Sequence, residues 1–408
     1  MFNSMRKIYK EFPLKFWVLV LASFIDVIGS TLIFPFIALY ITQKFGVGMT
    51  QAGVLLGIFS ISGLVGSIIG GALTDKFGRR GIMLFGLVFS GFSSITMGLV
   101  GKLYVFYGLA VVVGLLSNIA GPARQAMVAD LLPETQRSEG FGILRVAANI
   151  SWIIGPSIGG FLASKSYLLL FVLDAILSLI TAIIIYKLIP ETKPETLEEK
   201  EQESLLETVV GYRLVIRDTA FIAYLVVSML MIIVYQQLYS TLSVYLRDVH
   251  GVPTQGYGLL LSLNAGLVVL TQFWITRRLK RFSPMLMMAL GTGFYMIGFT
   301  MYGFVTVYLQ FVIAMLIITV GEMIVVPVGQ ALAACFAPED MRGRYMAFYG
   351  LSFAVPQTVG PWTAGMILDN YNPNWVWYGG GILCAVAVVG FYILYIKLKA
   401  HPSFAPEP

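Results

Sequence analysis

The sequence predicts an all-α integral membrane protein, with twelve transmembrane helices in two pseudo-symmetric six-helix bundles. Three observations predict it. The 408 residues are 58% hydrophobic and 12% charged, about half the charged share of roughly 25% in soluble chains, and mean hydropathy is +0.83. Apolar runs near the roughly 20-residue length needed to cross a hydrocarbon core recur twelve times. The chain also repeats itself at one offset. Pro122 and Pro327 are 205 positions apart, as are Gln125 and Gln330, Pro133 and Pro338, Arg137 and Arg342, and Gly155 and Gly360. Pro156 and Pro361, Gly160 and Gly365, Gly46 and Gly251, and Gly53 and Gly258 keep the same spacing. A duplicated membrane bundle can rock about a site between its halves.

The six runs of the first half are 16–41, 51–74, 81–100, 103–130, 138–163 and 167–188. Those of the second are 219–246, 256–277, 285–304, 307–335, 344–368 and 375–397. Backbone polar groups have no partner in lipid, so each run is a helix. The first run is too long for a signal peptide and lacks a convincing small-residue cleavage site, so it reads as a helix. The bundles span 1–189 and 219–400. Between them, Pro190, Pro194 and the Glu-rich 195–207 make 190–218 a polar cytoplasmic linker. Leu205, Leu206, Val209 and Val210 give it an amphipathic stretch. The tail 401–408 has three prolines and is expected to fray.

Charge sets the orientation. Of the 27 Lys and Arg, 21 fall on one side of the spans; Lys44, Lys102, Lys165 and Arg247 fall on the other, and Arg124 and Arg145 lie inside runs. The positive-inside rule puts both termini in the cytoplasm. The net charge of +6 is this bias and calls for no nucleic-acid partner. Two Cys and two His, all widely separated, build no expected disulfide, metal site or haem. No nucleophile–base cluster or phosphate loop suggests an enzyme.

Four groups of residues carry candidate mechanism. After the second run the chain reads Gly71-Ala72-Leu73-Thr74-Asp75-Lys76-Phe77-Gly78-Arg79-Arg80. Gly71 would allow close helix packing and Gly78 a sharp turn. Asp75 can pair with Arg79 and accept hydrogen bonds at the start of the eleventh helix, with Asp130 a second partner for Arg79. At the same offset Lys280 and Ser283 stand for Asp75 and Gly78, so the acidic element occurs once. The fifth run carries Gly155-Pro156-Ser157-Ile158-Gly159-Gly160, where proline kinks and small residues admit a neighbour. Charges inside spans are costly. Asp26 lies about 15 Å into the first helix and Glu322 about 18 Å from the cytoplasmic end of the tenth, and neither has an acidic repeat mate: these are Met231 and Ser117. A carboxyl in apolar surroundings favours its neutral form, which suits reversible proton binding. Arg124 and Arg145 have backbone carbonyls, Asp130 or an anionic group as expected partners. Asp174, on the peripheral sixth helix, reads as scaffold. Tyr235, Gln236 and Tyr239, with Asn118, Asn149 and Gln357, are candidate cavity residues, the two tyrosines sharing a face at i, i+4.

The duplication and these motifs resemble the major facilitator superfamily over nearly the whole chain. The loop is similar to its motif A at every defining position, and the fifth run resembles motif C of its exporters. Glu322, within Gly321-Glu322-Met323-Ile324-Val325-Val326-Pro327, resembles the tenth helix of lactococcal-type multidrug antiporters. The chain departs from motif B, with Ala110 where an arginine is usual. The resemblance implies a monomeric multi-pass protein of the bacterial cytoplasmic membrane, without cofactor. It implies a drug:proton antiporter, exporting amphipathic small molecules from a central cavity lined by helices 1, 4, 7 and 10. Glu322 and Asp26 would couple the proton, and motif A would latch the cytoplasmic face. The alternatives are an exporter of one metabolite or lipid-like compound, and a sensor or scaffold that transports nothing.

Overall fold

The computed structural model of the chain describes residues 11–193, 213–279, 281–338 and 341–398. Its long helices are α1 (Leu14–Phe45), α2 (Met49–Phe77), α3 (Arg79–Leu99), α4 (Leu103–Leu131), α5 (Glu134–Ala163) and α6 (Tyr167–Leu188). They continue with α7 (Thr219–Tyr239), α8 (Thr254–Leu279), α9 (Pro284–Met301) and α10 (Tyr308–Phe336), then α11 (Arg342–Asn370) and α12 (Trp375–Leu398). The linker's amphipathic stretch and the tail lie outside the described residues.

Eleven of these helices are long and apolar enough to cross a membrane. α11, expected as a twelfth span over 344–368, is not among them. It is long, at 29 residues, but Pro356, Gln357, Thr358, Pro361 and Thr363 make it more polar than its neighbours. Three long helices are interrupted, α7 ending in a 3₁₀ turn at Gln237–Tyr239 before a separate helix at Thr241–His250. α1 tightens to a 3₁₀ turn at Phe34–Phe36, where Pro35 has no N–H to donate. α4 breaks between Ser117 and Ala120. Large apolar side chains face outward, among them Ile68, Phe92, Leu270 and Phe273, each more than 60% exposed. A surface this apolar suits lipid rather than water.

Packing divides the chain into two compact units that do not follow the sequence boundary at 189. The first contains α1, α2 from Ile58, α3 to α6 and Pro253–Ala265; the second contains Gly48–Gly57, α7, α8 from Gly266 and α9 to α12. Glycine crossings explain the exchanged ends. Within the first unit, a Cβ on Gly258 would lie 2.3 Å from the Pro156 carbonyl oxygen, and one on Gly160 would lie 2.9 Å from that of Thr254. Ser157 and Ser262 hydrogen-bond at 2.7 Å across the same contact. Within the second, a Cβ on Gly53 would lie 2.5 Å from the Pro361 oxygen, and one on Gly365 2.6 Å from that of Met49. These pairs are related by the 205-residue offset, so the repeat is also a packing repeat. Two polar contacts have no mate: the Ser157–Ser262 bond, whose repeat positions are Trp362 and Gly57, and a carboxylate cap. Asp369 caps the first turn of α2, accepting from Met49 N at 2.9 Å, Thr50 N at 2.7 Å and Thr50 Oγ1 at 2.6 Å. Its repeat position is Ser164.

The turn between α2 and α3 is built by local chemistry and by one distant residue. Gly78 has φ +93°, a conformation that favours glycine. Its N–H closes on the Thr74 oxygen at 3.0 Å. α3 then begins with unpaired N–H groups. The Glu191 carboxylate accepts two of them, from Arg79 at 2.8 Å and Arg80 at 3.1 Å. It also accepts the N–H groups of Thr192 and Lys193. Lys193 Nζ donates to the Lys76 oxygen at 2.9 Å, and the Arg80 guanidinium binds the Tyr186 carbonyl and lies over its ring. The segment after α6, expected as the start of a polar linker, is strapped to this turn.

Two outcomes follow from this packing. Partial burial acts to raise the Glu191 pKa, but four backbone N–H donors outweigh it and hold the carboxyl below its ordinary 4.5. A lowered carboxylate contributes stability above 4.5 that is lost as pH falls through the lowered value. Glu191→Gln should therefore melt below wild type at pH 7, with the gap closing under acid; a gap that stays constant however far pH falls below 4.5 would contradict the cap. In the first unit, a Cβ on Gly66 would lie 2.0 Å from the Leu115 oxygen. Gly66→Leu should destabilise by about 1–3 kcal/mol, read as a lower melting temperature in detergent, whereas Gly71→Ala, with open space, should not.

Candidate functional site

The first unit holds a charged cluster among apolar helices. α1 carries Asp26 roughly halfway along, and the second segment of α4, Ala120–Leu131, carries Arg124. That segment is set by close crossings with α2, since Cβ atoms on Gly66 and Gly70 would strike the Leu115 and Ile119 carbonyls. Arg124 Nη1 meets Asp26 Oδ2 at 3.1 Å, with both side chains about one-third exposed or less. The partner of Arg124 is thus the carboxylate of α1, rather than Asp130, which is paired elsewhere. Arg145 is exposed on α5.

A second carboxyl approaches the same face of α1. Asp174 of α6 is buried and accepts a hydrogen bond from Ser94 of α3. One of its oxygens abuts Gly29, where a Cβ would lie 2.5 Å away. Gly29 is one turn beyond Asp26, and the charge of Asp26 acts on Asp174. Repeat mates of Asp26, Arg124 and Asp174 are Met231, Gly329 and Gly379, so the cluster belongs to this half alone.

The helix register that fixes Asp26 comes from the fifth-helix motif. A Cβ on Gly155 would lie 2.0 Å from Thr31 Oγ1, and one on Gly159 2.7 Å from the Phe36 ring. These two glycines seat α5 on α1, while Pro156 and Gly160 seat it on Pro253–Ala265. Thr31 Oγ1 also donates to the Ser151 oxygen at 3.3 Å.

The loop after α2 forms a charged knot in the first unit. Arg79 Nε donates to Asp130 Oδ2 at 3.0 Å, and its Nη1 lies 3.6 Å from Asp75 Oδ1. Arg79 is 7% exposed and Asp75 is 66% exposed, so Asp130 is the closer and more shielded partner. Thr192 Oγ1 also donates to Asp130 at 3.1 Å. The expectation that Gly71 permits close packing is corrected: a Cβ there would meet nothing within 4 Å. Gly70, one position earlier, makes the crossing.

The second unit gathers an acid and aromatic hydroxyls. Gly321 of α10 packs on α9, where a Cβ would lie 2.7 Å from the Gly291 oxygen and 2.8 Å from the Tyr295 ring. That contact places the next residue, Glu322, within electrostatic reach of Tyr235, Tyr239 and Tyr295. The Tyr235 and Tyr239 hydroxyls hydrogen-bond at 3.0 Å, and Tyr235 stacks on Tyr295 with ring centroids 5.4 Å apart. Gln236, Asn149 and Gln357 are half-buried. Asn118 donates to the Gly114 oxygen at 3.0 Å beside Gly63, at the break in α4. Sequence reasoning missed Glu191, Tyr295 and Asp369. For Asp369 the departure from Ser164 at the repeat position was the available signal.

Comparison with known proteins agrees with this architecture. The Major Facilitator Superfamily profile matches residues 19–321 and 254–408. A Na(+), Li(+), K(+)/H(+) antiporter of Planococcus maritimus is 27% identical over 400 residues, covering 90% of this chain and 91% of its own. The multidrug resistance protein MdtH of Shigella dysenteriae is 24% identical, covering 90% of each chain. A solved POT family transporter in complex with 5-aminolevulinic acid superposes with TM-score 0.79 at 18% identity, covering 95% of this chain and 96% of its own. That likeness concerns the fold alone. With its helical membrane spans and a family match across most of its length, the chain belongs to the Major Facilitator Superfamily and is a multi-pass membrane transporter.

Proposed function

We propose that this transporter is a proton-driven secondary exporter of amphipathic small molecules, and that the Asp26–Arg124 pair is its proton-sensitive element. The carrying observation is that 3.1 Å ion pair, placed among apolar helices in one repeat and absent from the other. A charge in such surroundings is retained at a cost. A proton arriving on Asp26 removes the charge that holds Arg124 and frees the guanidinium for another partner. Pairing and release thus give α1 and α4 two electrostatic states.

Glu322 is the second acidic group of this reading. Three tyrosines beside it supply flat apolar faces and hydroxyls, the chemistry that suits amphipathic or cationic cargo. Motif A, with Arg79 held by Asp130 and Asp75, serves as the cytoplasmic latch, and the motif C glycines keep α5 against α1 as the bundle cycles. Similarity to MdtH supports drug-like cargo. The Planococcus antiporter supports a second reading, in which monovalent cations are exchanged for protons. Both readings need a proton-linked carboxylate.

The test is transport in proteoliposomes under an imposed pH gradient, with a cationic dye, a neutral dye or sodium as cargo. Glu322→Gln should abolish uphill dye transport, a loss of at least tenfold, while sparing downhill exchange. Asp26→Asn should remove the pH dependence of exchange. If both variants still drive dye uphill with wild-type pH dependence, the proton travels elsewhere. Sodium transport without dye transport would favour the second reading.

A further inference from the structure

The Asp26–Arg124 pair leaves one nearby acid unexplained. Asp174 is 6% exposed, and no cation lies within ion-pair distance of it among the described residues. An ionised carboxylate so placed would be an uncompensated buried charge, among the most costly groups a protein can hold. No cluster of His, Cys, Asp or Glu side chains able to hold a metal ion occurs among the described residues, and both of its oxygens are engaged. One oxygen abuts Gly29, where even a Cβ would lie 2.5 Å away, and the other is taken by Ser94. A proton fits this space.

The helices packed on α6 are α1, α3 and α5. α1 presents Asp26, whose charge acts on Asp174. Lys15 and Lys44 stand near the ends of α1, and the Tyr40 hydroxyl is engaged with the Met97 oxygen at 2.7 Å. α3 brings Ser94, with Arg79 and Arg80 at its start; the charged residues of α5, Glu134, Arg137, Glu139 and Arg145, lie in its first twelve residues. The local charge count is thus two carboxyls and one guanidinium. It is neutral when one carboxyl holds a proton, whichever one that is.

We propose that Asp174 is a proton-binding site of the transport cycle, coupled to the Asp26–Arg124 pair across the Gly29 contact between α1 and α6. While Asp26 pairs with Arg124, Asp174 holds its proton. When Asp26 takes up a proton and releases Arg124, the repulsion that opposed ionisation of Asp174 is gone, and Asp174 can give its proton up. One O–H bond forms on Asp26 and one breaks on Asp174, so the cluster's charge is conserved. This cycle rests on the proton-linked reading of Asp26, whereas the protonation of Asp174 in the paired state does not.

Two readouts on the full-length protein test it. Infrared difference spectra in lipid nanodiscs at pH 7 should show a protonated-carboxyl band that is lost in Asp174→Asn, whose amide can still bond Ser94, and weakened in Asp26→Asn, which mimics the neutral Asp26 that lets Asp174 ionise. In proteoliposomes the pH midpoint of exchange should move about one unit toward acid in Asp174→Asn, the scale on which two interacting acids perturb each other. An unchanged spectrum in Asp174→Asn overturns the proposal. So does loss of the band with an unmoved midpoint, which would make Asp174 a neutral packing group. If Asp174→Asn fails to accumulate, Ser94→Ala decides: the band should shift in frequency and the midpoint should move, and neither moving overturns the proposal. A band undiminished in Asp26→Asn overturns the coupling, whereas full proton-driven transport by Asp26→Asn counts against the Asp26 reading alone.

Discussion

A charge among apolar helices must find its partner inside the protein, and the first unit is arranged around meeting that requirement. The Asp26–Arg124 pair joins α1 to α4 across 98 residues of chain. Each partner reaches it through backbone contacts made elsewhere: Gly155 and Gly159 set α5 against α1, and Gly66 and Gly70 set α2 against α4. Breaking the pair would strand a charge, a penalty of several kcal/mol where the partner stays buried. About one-third exposure softens this, which suits a pair meant to open.

The duplicated scaffold and the asymmetric chemistry are separate layers. Glycine and proline positions repeat at 205 residues and form equivalent crossings in the two units, at Gly258 with Pro156 and at Gly53 with Pro361. The charges of the candidate site do not repeat. Asp26, Arg124, Asp174, Glu322 and Asp369 all map onto uncharged residues. One half carries an ion pair, and the other carries a carboxylate among tyrosines. Function therefore sits in what each half added to a shared backbone.

Much of this was legible in the sequence because it is local or periodic. Apolar run length gave the helices, the offset gave the packing repeat, and Gly78 announced its turn. The failures are cross-chain. Nothing local indicates that Arg124 faces Asp26, because that depends on how α4 is rotated after its break at Asn118. Glu191 sits in a Pro-Glu-Thr-Lys stretch with the composition of a linker, and its role as a cap appears only once α6 ends beside the start of α3. Asp174 read as scaffold because its helix is peripheral, although the side chain points inward. α11 fell short of an apolar span because the prolines and polar residues that shape its crossings also lower its hydropathy.

The most direct test of the central claim is a double-mutant cycle on the ion pair, reading substrate-evoked proton release and melting temperature in the same detergent preparations. If Asp26 and Arg124 act as one proton-sensitive unit, Asp26→Asn should strand Arg124 and lower the melting temperature. Adding Arg124→Gln should recover it, with a coupling of about 1 kcal/mol or more, and all three variants should lose the same fraction of proton release. Additive melting shifts together with proton release intact in Asp26→Asn would contradict the account.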